Sequence, residues 1–559
     1  MRINKKNLKW WQKTIVYEAY PSSFQDTDGD GIGNLKGITM HLDYLKSFGV
    51  GAIWLTPVYA SPMKDNGYDI SDYYAINPTY GSMADMEELI AEAKKRGIRI
   101  VMDMVFNHTS DKNAWFTESA SSRDNAKADW YIWRDAKEDG SAPNNWGGIF
   151  GGSVWTWCET RQQYYLHTFG DFQPDLNWEN PEVRRALYDV ANFWLDKGVG
   201  GFRLDAVTYI KKPTELADGP VNPFMGYASV HDMTANTEGI LDFLHEFRSM
   251  AVEGHDIFAV GEANGVSSGE LDKWVGEKGV FDMLFEFSHV NVQFDGPQNW
   301  CQTRPWKLTD LKKAFFDSQK ATENTGWYPI FLENHDQPRS VNHFLPADAE
   351  NQAAAKALGM LATTLRGTPF IYQGEELGMT NVQRQSIEDY DDVLSINQYE
   401  IALNKGFTKE EALACVMEYS RDNARTPMQW DASENAGFSA GRPWLGVNPN
   451  FKTVNAAHQE NDESSVLNWY RSLYRLREEY SLLIDGDFGE LFSDSEEIFA
   501  YTRENDNQKA IILINFTGKK VSYDAQPVFD AQPVLFSGKS CVAGSLEPYQ
   551  AVCYIKDKG

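Results

Sequence analysis

The sequence predicts an α/β protein: a (β/α)8 TIM barrel with an inserted irregular domain after strand 3 and a C-terminal antiparallel β-sandwich. Three observations carry that prediction. Apolar, β-rich runs recur eight times in the first two-thirds of the 559 residues, with helical stretches between them. Those runs are nearly continuous in apolar residues, as strands buried on both faces are. Past about Asp485 the pattern changes to short alternating runs separated by turn residues. A chain this long exceeds what one core supports, so two or three domains are expected.

The barrel runs are Thr14–Tyr20, Ala52–Val58, Ile98–Phe106, Gly201–Asp205, Ile257–Glu262, Phe281–Phe287, Pro329–Asn334 and Pro369–Gln373. Between them lie periodic segments such as Met83–Arg96 and Pro181–Lys197, closed by Gly97 and Gly198 as C-terminal stops. The stretch His108–Asn177 is rich in Trp, Gly, Asn and Asp and poor in amphipathic helix, so it reads as a small irregular domain over the barrel mouth. The alternating runs Ile498–Thr502, Ala510–Phe516 and Gln550–Ile555 form the sandwich. The division is therefore 1–107 with 178–485 for the barrel, 108–177 for the insertion and 486–559 for the sandwich. In a barrel of this kind chemistry gathers at the C-terminal strand ends.

Composition narrows the partners. A hydrophobic content of 42% with 24% charged residues is that of a globular chain. A net charge of -28 argues against nucleic acid as a partner. No run is long enough to span a membrane, and the basic start lacks the apolar stretch of a secretory leader. Five scattered cysteines, odd in number and without metal spacing, read as reduced thiols of a cytoplasmic protein. A monomer without organic cofactor is expected.

Four strand ends carry polar residues that core packing does not explain. In Gly201-Phe-Arg-Leu-Asp205, alternation puts Arg203 and Asp205 on one face. An arginine beside a carboxylate typically lowers its pKa by ~1–3 units, which suits an ionised nucleophile; a structural ion pair is the alternative. Glu262 emerges from the apolar run Phe258-Ala-Val-Gly-Glu262, where desolvation raises its pKa and suits a general acid. The third run ends at Asp103-Met-Val-Phe-Asn-His108, with Asp103 facing inward and His108 placed to donate to a substrate oxygen or to serve the structure. The seventh ends at Glu333-Asn-His-Asp336, with His335 and Asp336 turned towards the cleft. In Asp65-Asn-Gly-Tyr-Asp69 a carboxylate stands near an aromatic ring, a pairing that can grip a sugar. After the first run, Asp26-Thr-Asp-Gly-Asp-Gly-Ile-Gly-Asn34 sets Asp26, Asp28 and Asp30 at every second position, with the Ile32 carbonyl and Asn34 following. This copies the first half of a Ca²⁺ loop without its closing glutamate, and suggests structural Ca²⁺ or Mg²⁺; a solvated turn is the alternative.

Asp103-x-Val-x-Asn-His108, Gly201-Phe-Arg-Leu-Asp205, Val260-Gly-Glu262 and Asn334-His-Asp336 together resemble the four shared regions of the α-amylase family, glycoside hydrolase family 13. Gln173-Pro-Asp-Leu-Asn177, Gln337-Pro-Arg339, Gly374–Met379 and Ser420–Trp430 resemble its oligo-1,6-glucosidase/α-glucosidase branch. The resemblance implies Asp205 as nucleophile, Glu262 as general acid/base and Asp336 as the group holding hydroxyls of the distorted sugar. It implies that Asp65, Tyr68, His108, Arg203, His335 and Arg421 line that subsite and that Phe150 and Phe169 wall its entrance. It also implies exo-action with retention on short α-linked gluco-oligosaccharides. Strict oligo-1,6-glucosidase, trehalose-6-phosphate hydrolase and sucrose isomerase or hydrolase are the alternatives. Ala206 is small where α-1,6 specialists of the branch carry valine, which biases towards α-1,4 bonds by a contact worth ~1–3 kcal/mol. Ala263-Asn264-Gly265 departs from the Met/Thr-Pro-Gly of oligo-1,6-glucosidases.

Overall fold

A computed structural model of the chain describes residues 8–294, 299–346 and 352–558. The basic start, Met1–Asn7, lies outside them. Eight parallel strands form one sheet: β1 (Ile15–Ala19), β2 (Val50–Leu55), β3 (Arg99–Val105), β4 (Gly201–Asp205), β5 (Phe258–Glu262), β6 (Met283–Phe285), β7 (Pro329–Ile330) and β8 (Thr368–Tyr372). Their hydrogen-bonded order is β6-β5-β4-β3-β2-β1-β8-β7, which follows the chain around a ring. β6 and β7 face each other across the seam. The register sets Arg203 of β4 opposite Asp103 of β3 on one side and Val260 of β5 on the other.

Helices on the outside bury one stripe each. α1 (Met83–Lys95) starts at a capping box, in which the Ser82 hydroxyl accepts the Asp85 N–H and the Asp85 carboxylate accepts the Ser82 N–H. α2 (Pro181–Asp196) starts with an Asn180 cap and proline at its first position. Val183, Leu187, Val190, Ala191 and Trp194 form its buried stripe. Each large apolar side chain so placed contributes about 1.5–3 kcal/mol. Both helices end on a glycine with positive φ, Gly97 at 71° and Gly198 at 95°. A Cβ is penalised in that conformation, which is why the chain breaks there.

The insertion between β3 and α2 contains a helix, Ala114–Ser121, and a three-stranded antiparallel sheet of Trp133–Arg134, Gln163–Leu166 and Trp155–Cys158. A further short strand, Trp146–Gly147, pairs in parallel with Ala228–Ser229 and so fastens the insertion to the segment that follows β4. At the C-terminus, strands Asp487–Leu491, Ile498–Glu504, Gln508–Asn515, Ala551–Asp557 and Gln532–Phe536 form an antiparallel sheet in that order. Its alternation sorts the faces: Phe499, Tyr501, Ile512 and Ile514 pack into the main core. Ile498, Ala500, Ile511 and Leu513 pack under the short ladder that carries Val521 and Leu546.

Three features depart from the sequence reading. β6 is shorter than Phe281–Phe287, because Phe281 leaves the barrel sheet to bridge Val275. The seventh run pairs only over Pro329–Ile330; beyond it Asn334 turns the chain, its side-chain oxygen accepting the Asp336 N–H at 2.8 Å and its carbonyl the Gln337 N–H at 3.2 Å. Cys301 and Cys415 are joined as a disulfide, with Cα atoms 5.4 Å apart, which corrects the reading of five thiols. They are 114 residues apart in sequence, and linear spacing is blind to the folding that brings the post-β6 segment onto helix Lys409–Tyr419. Cys158, Cys541 and Cys553 are free. Thiol titration of the unfolded chain should therefore read three groups before reduction and five after it; five from the start would remove the bond.

Candidate active site

Arg203 stands at the centre of the strand ends. Its Nη1 donates to Asp103 Oδ1 at 2.9 Å and to Asp205 Oδ1 at 2.6 Å, and its Nη2 donates to Glu262 Oε2 at 2.6 Å. The guanidinium carbon lies 5.0 Å from the Trp54 ring centroid, a cation–π contact. Asp103 is wholly buried and also accepts the Trp54 indole N–H at 3.1 Å and the Tyr68 hydroxyl at 3.0 Å. Side-chain exposure grades from 2% at Arg203 to 11% at Asp205, 17% at Glu262 and 33% at Asp336. The cation is thus sealed behind three acids that a ligand can reach.

The same burial sets the acids' protonation. Desolvation pushes Glu262 up to about 8 against the pull of Arg203. Desolvation also raises Asp205, to about 6, with Arg203 again opposing. This corrects the expectation that Arg203 would leave Asp205 below the usual carboxylate range: one guanidinium shared among three acids does not repay the loss of water. Asp336 goes the other way. Burial raises it, but His335, Arg421, Arg425 and Arg203 outweigh that and hold it well below its ordinary value.

Around Asp336 the contacts form a second network. Its Oδ1 takes Arg425 Nη2 at 2.7 Å and Arg421 Nη1 at 3.4 Å, and its Oδ2 lies 3.5 Å from His335 Nε2. Arg421 also reaches Asp65 at 3.1 Å and Asp392 at 2.5 Å. Gln173 donates to the other Asp65 oxygen at 2.9 Å. His335 contacts the Tyr68 hydroxyl at 2.7 Å, their rings stacking at 5.3 Å. His108 is buried with both ring nitrogens engaged by protein: Nε2 by the Tyr68 carbonyl at 2.9 Å, and Nδ1 by the Asn107 amide at 3.2 Å. Phe169 packs on His108 at 5.2 Å and on Phe150 at 5.7 Å, while Arg421 lies over Phe150 at 5.3 Å. Every residue expected in the sugar subsite is therefore in one constellation. Ala206 closes it with φ 48°, and its N–H donates to Glu262 Oε2 at 3.0 Å.

A cavity of about 440 Å³ lies between the insertion and the segments that follow β4, β5 and β6, and none of Asp205, Glu262 or Asp336 lines it. Its wall includes Tyr209, His231, Asn264, Ser288, Trp300 and Gln398, with Asp232 as its acid. Among the described residues its lining holds no lysine or arginine.

A family model for the α-amylase catalytic domain matches residues 18–486. The sequence is 43% identical over 554 residues to a probable oligo-1,6-glucosidase 3 of Bacillus subtilis, covering 98% of this chain and 99% of that protein. It is 41% identical over 557 residues to an α-glucosidase of Pediococcus pentosaceus, covering 98% and 99%. Its fold superposes on isomaltulose synthase of Erwinia rhapontici with a TM-score of 0.93 at 40% identity, covering 98% and 99%. The chain belongs to the α-amylase family. As a member of those glycoside hydrolases it carries the barrel, the insertion and the C-terminal antiparallel sheet in the expected order.

Sequence reasoning passed over some members of this α-amylase-family site. Arg425 was visible as the second arginine, four residues after Arg421, in Ser420–Trp430. Glu18 was visible as a lone acid in an apolar strand. Asp392, an ordinary acid at a helix start, offered no signal.

The acidic loop after β1 folds onto itself. Asp26 accepts N–H groups from Asp28, Gly29 and Gly31 at 2.8–2.9 Å and the Ser439 hydroxyl at 2.5 Å. Burial would raise Asp26, but those donors lower it below its usual range. Asn34 caps the next helix through Gly37 N–H, and Asp28 and Asp30 are exposed. Among the described residues no three His, Cys, Asp or Glu side chains gather as a metal cluster. Oxygens of Asp28, Asp30 and the Ile32 carbonyl are the donors still suited to a hard cation.

Arg203→Leu should cost about 3–5 kcal/mol at pH 7, since it strands buried acids without their cation. That loss should shrink as pH falls through about 6, where Asp103 and Asp205 take up protons and the guanidinium no longer has full partners. Urea unfolding at pH 7 and pH 5 measures both. A loss independent of pH would contradict the electrostatic role.

Proposed function

We propose that the protein is a retaining exo-α-glucosidase that removes single glucose units from the non-reducing end of short α-linked gluco-oligosaccharides, accepting α-1,4 and α-1,6 bonds. One observation carries this reading: two acids meet the same guanidinium at 2.6 Å each, and burial raises Glu262, to about 8, further than Asp205, to about 6. Between those values one is an ionised nucleophile and the other a protonated acid. Asp205 attacks the anomeric carbon while Glu262 protonates the departing oxygen. Glu262, now ionised, then takes a proton from water, which opens the glycosyl ester with overall retention. Asp336, Arg421, His335, Tyr68 and Asp65 would hold the hydroxyls of the sugar being cut, with Phe150 and Phe169 at the entrance. Asp336, kept ionised by its cationic neighbours, suits paired hydroxyls.

Maltose, isomaltose, sucrose and trehalose 6-phosphate, followed by NMR of the first anomer released, test the proposal. α-Glucose should appear first from maltose and isomaltose, and Asp205→Ala should abolish turnover. β-Glucose as first product, or near-normal rate in the variant, would overturn it.

We also propose that the loop from Asp26 to Asn34 takes Ca²⁺, or Mg²⁺, as a structural ion, held through Asp28, Asp30 and the Ile32 carbonyl while Asp26 and Asn34 brace the loop. Its support is the spacing of hard oxygen donors, and a chelator should then lower the melting temperature while leaving kcat unchanged below it. An unmoved melting curve would reject the ion. We further read the protein as a cytoplasmic monomer, on its acidic charge and three free thiols; the Cys301–Cys415 bond is the feature that points the other way.

A further inference from the structure

Glu18 lies one residue from the C-terminal end of β1, buried to 2% exposure, and the chemistry above does not use it. Its Oε1 meets His335 Nδ1 at 2.5 Å and the His335 backbone N–H at 3.4 Å. Strand pairing puts Trp54 of β2 and Tyr372 of β8 on its flanks. The charged groups that face it are Arg203, Asp103 and Asp336.

The protons along this chain can be counted. Asp103 receives donors only: Arg203 Nη1, the Trp54 indole and the Tyr68 hydroxyl. Tyr68 has one hydroxyl proton, and giving it to Asp103 leaves the phenolic oxygen as an acceptor towards His335 Nε2 at 2.7 Å. His335 Nε2 must therefore carry a proton. Asp336, 3.5 Å from Nε2, favours the doubly protonated ring, but desolvation and three arginines outweigh it. Nδ1 is then an acceptor, and the 2.5 Å contact requires a proton from Glu18. An ionised Glu18 paired with Nδ1–H would leave Nε2 bare, so Tyr68 would have to supply one proton to two acceptors.

We propose that Glu18 is a positioning residue whose carboxyl proton is donated to His335 Nδ1, locking Nε2–H towards Tyr68 and Asp336. The hydroxyl-binding side of the site is thereby oriented from the inside of the barrel. The catalytic consequence rests on the α-glucosidase reading; the proton arrangement does not.

Two variants and one spectrum test it. Glu18→Gln keeps a donor for Nδ1 and should retain kcat/KM within a few-fold. Glu18→Met fills similar space without a donor and should lose about 100-fold, as misplacement near 1 Å does, mostly in kcat. Equal activity of the two folded variants would overturn the proposal. In ¹⁵N-histidine-labelled wild-type protein, with His335 assigned by its loss in His335→Asn, Nε2 should bear the proton. A bare Nε2 would overturn the proposal even if Glu18→Met fails to fold. Absence of any α-glucoside cleavage by the wild type would instead sink the functional reading, leaving the spectrum to decide the proton's place.

Discussion

One buried guanidinium organises this molecule. Arg203 is in a strand, so its side chain emerges into the barrel at a height fixed by the β3–β4–β5 register. Three acids from three strands converge on it. Neither the cation nor the acids would be tolerable alone in such a place, because an isolated buried charge costs several kcal/mol. Together they are held, but with less than full compensation, and the deficit shows as raised carboxyl pKa values. The strain of burial is thereby turned into useful protonation states.

The second group of charges solves a different problem. Arg421 opens a short helical turn after β8 and Arg425 follows it, and they meet Asp336, Asp65 and Asp392. Here cations are plentiful and the most open acid is kept ionised. The two networks meet at His335, Tyr68 and Asp103. One side of the site is rich in cations and keeps its most open acid ionised; the other raises its carboxyls above their ordinary range.

Much of this was legible beforehand. The barrel order followed from apolar runs, and the helix ends from Gly97 and Gly198, because buried parallel strands and left-handed caps leave strong local marks. The acids were legible because strand ends rarely gather unpaired carboxylates. What escaped depends on non-local facts. The balance of desolvation against one shared arginine decided Asp205, and no spacing rule weighs those terms. The approach of Cys301 to Cys415 and the arrival of Asp392 at Arg421 both require the folded path of segments far apart in the chain. Strand β7 was overdrawn because apolar residues continue past the point where the backbone turns to present Asn334 and its neighbours, and β6 because Phe281 pairs with Val275 outside the barrel sheet.

Ala206 is held at φ 48° with its amide aimed at Glu262. A handedness that side chains resist thus sets a peptide N–H against the Glu262 carboxylate. A β-branched residue here would carry more strain than alanine, because the left-handed conformation crowds its side chain against the backbone. Asn264 and His231 line the neighbouring cavity, where a side chain can change without twisting the peptide that meets Glu262.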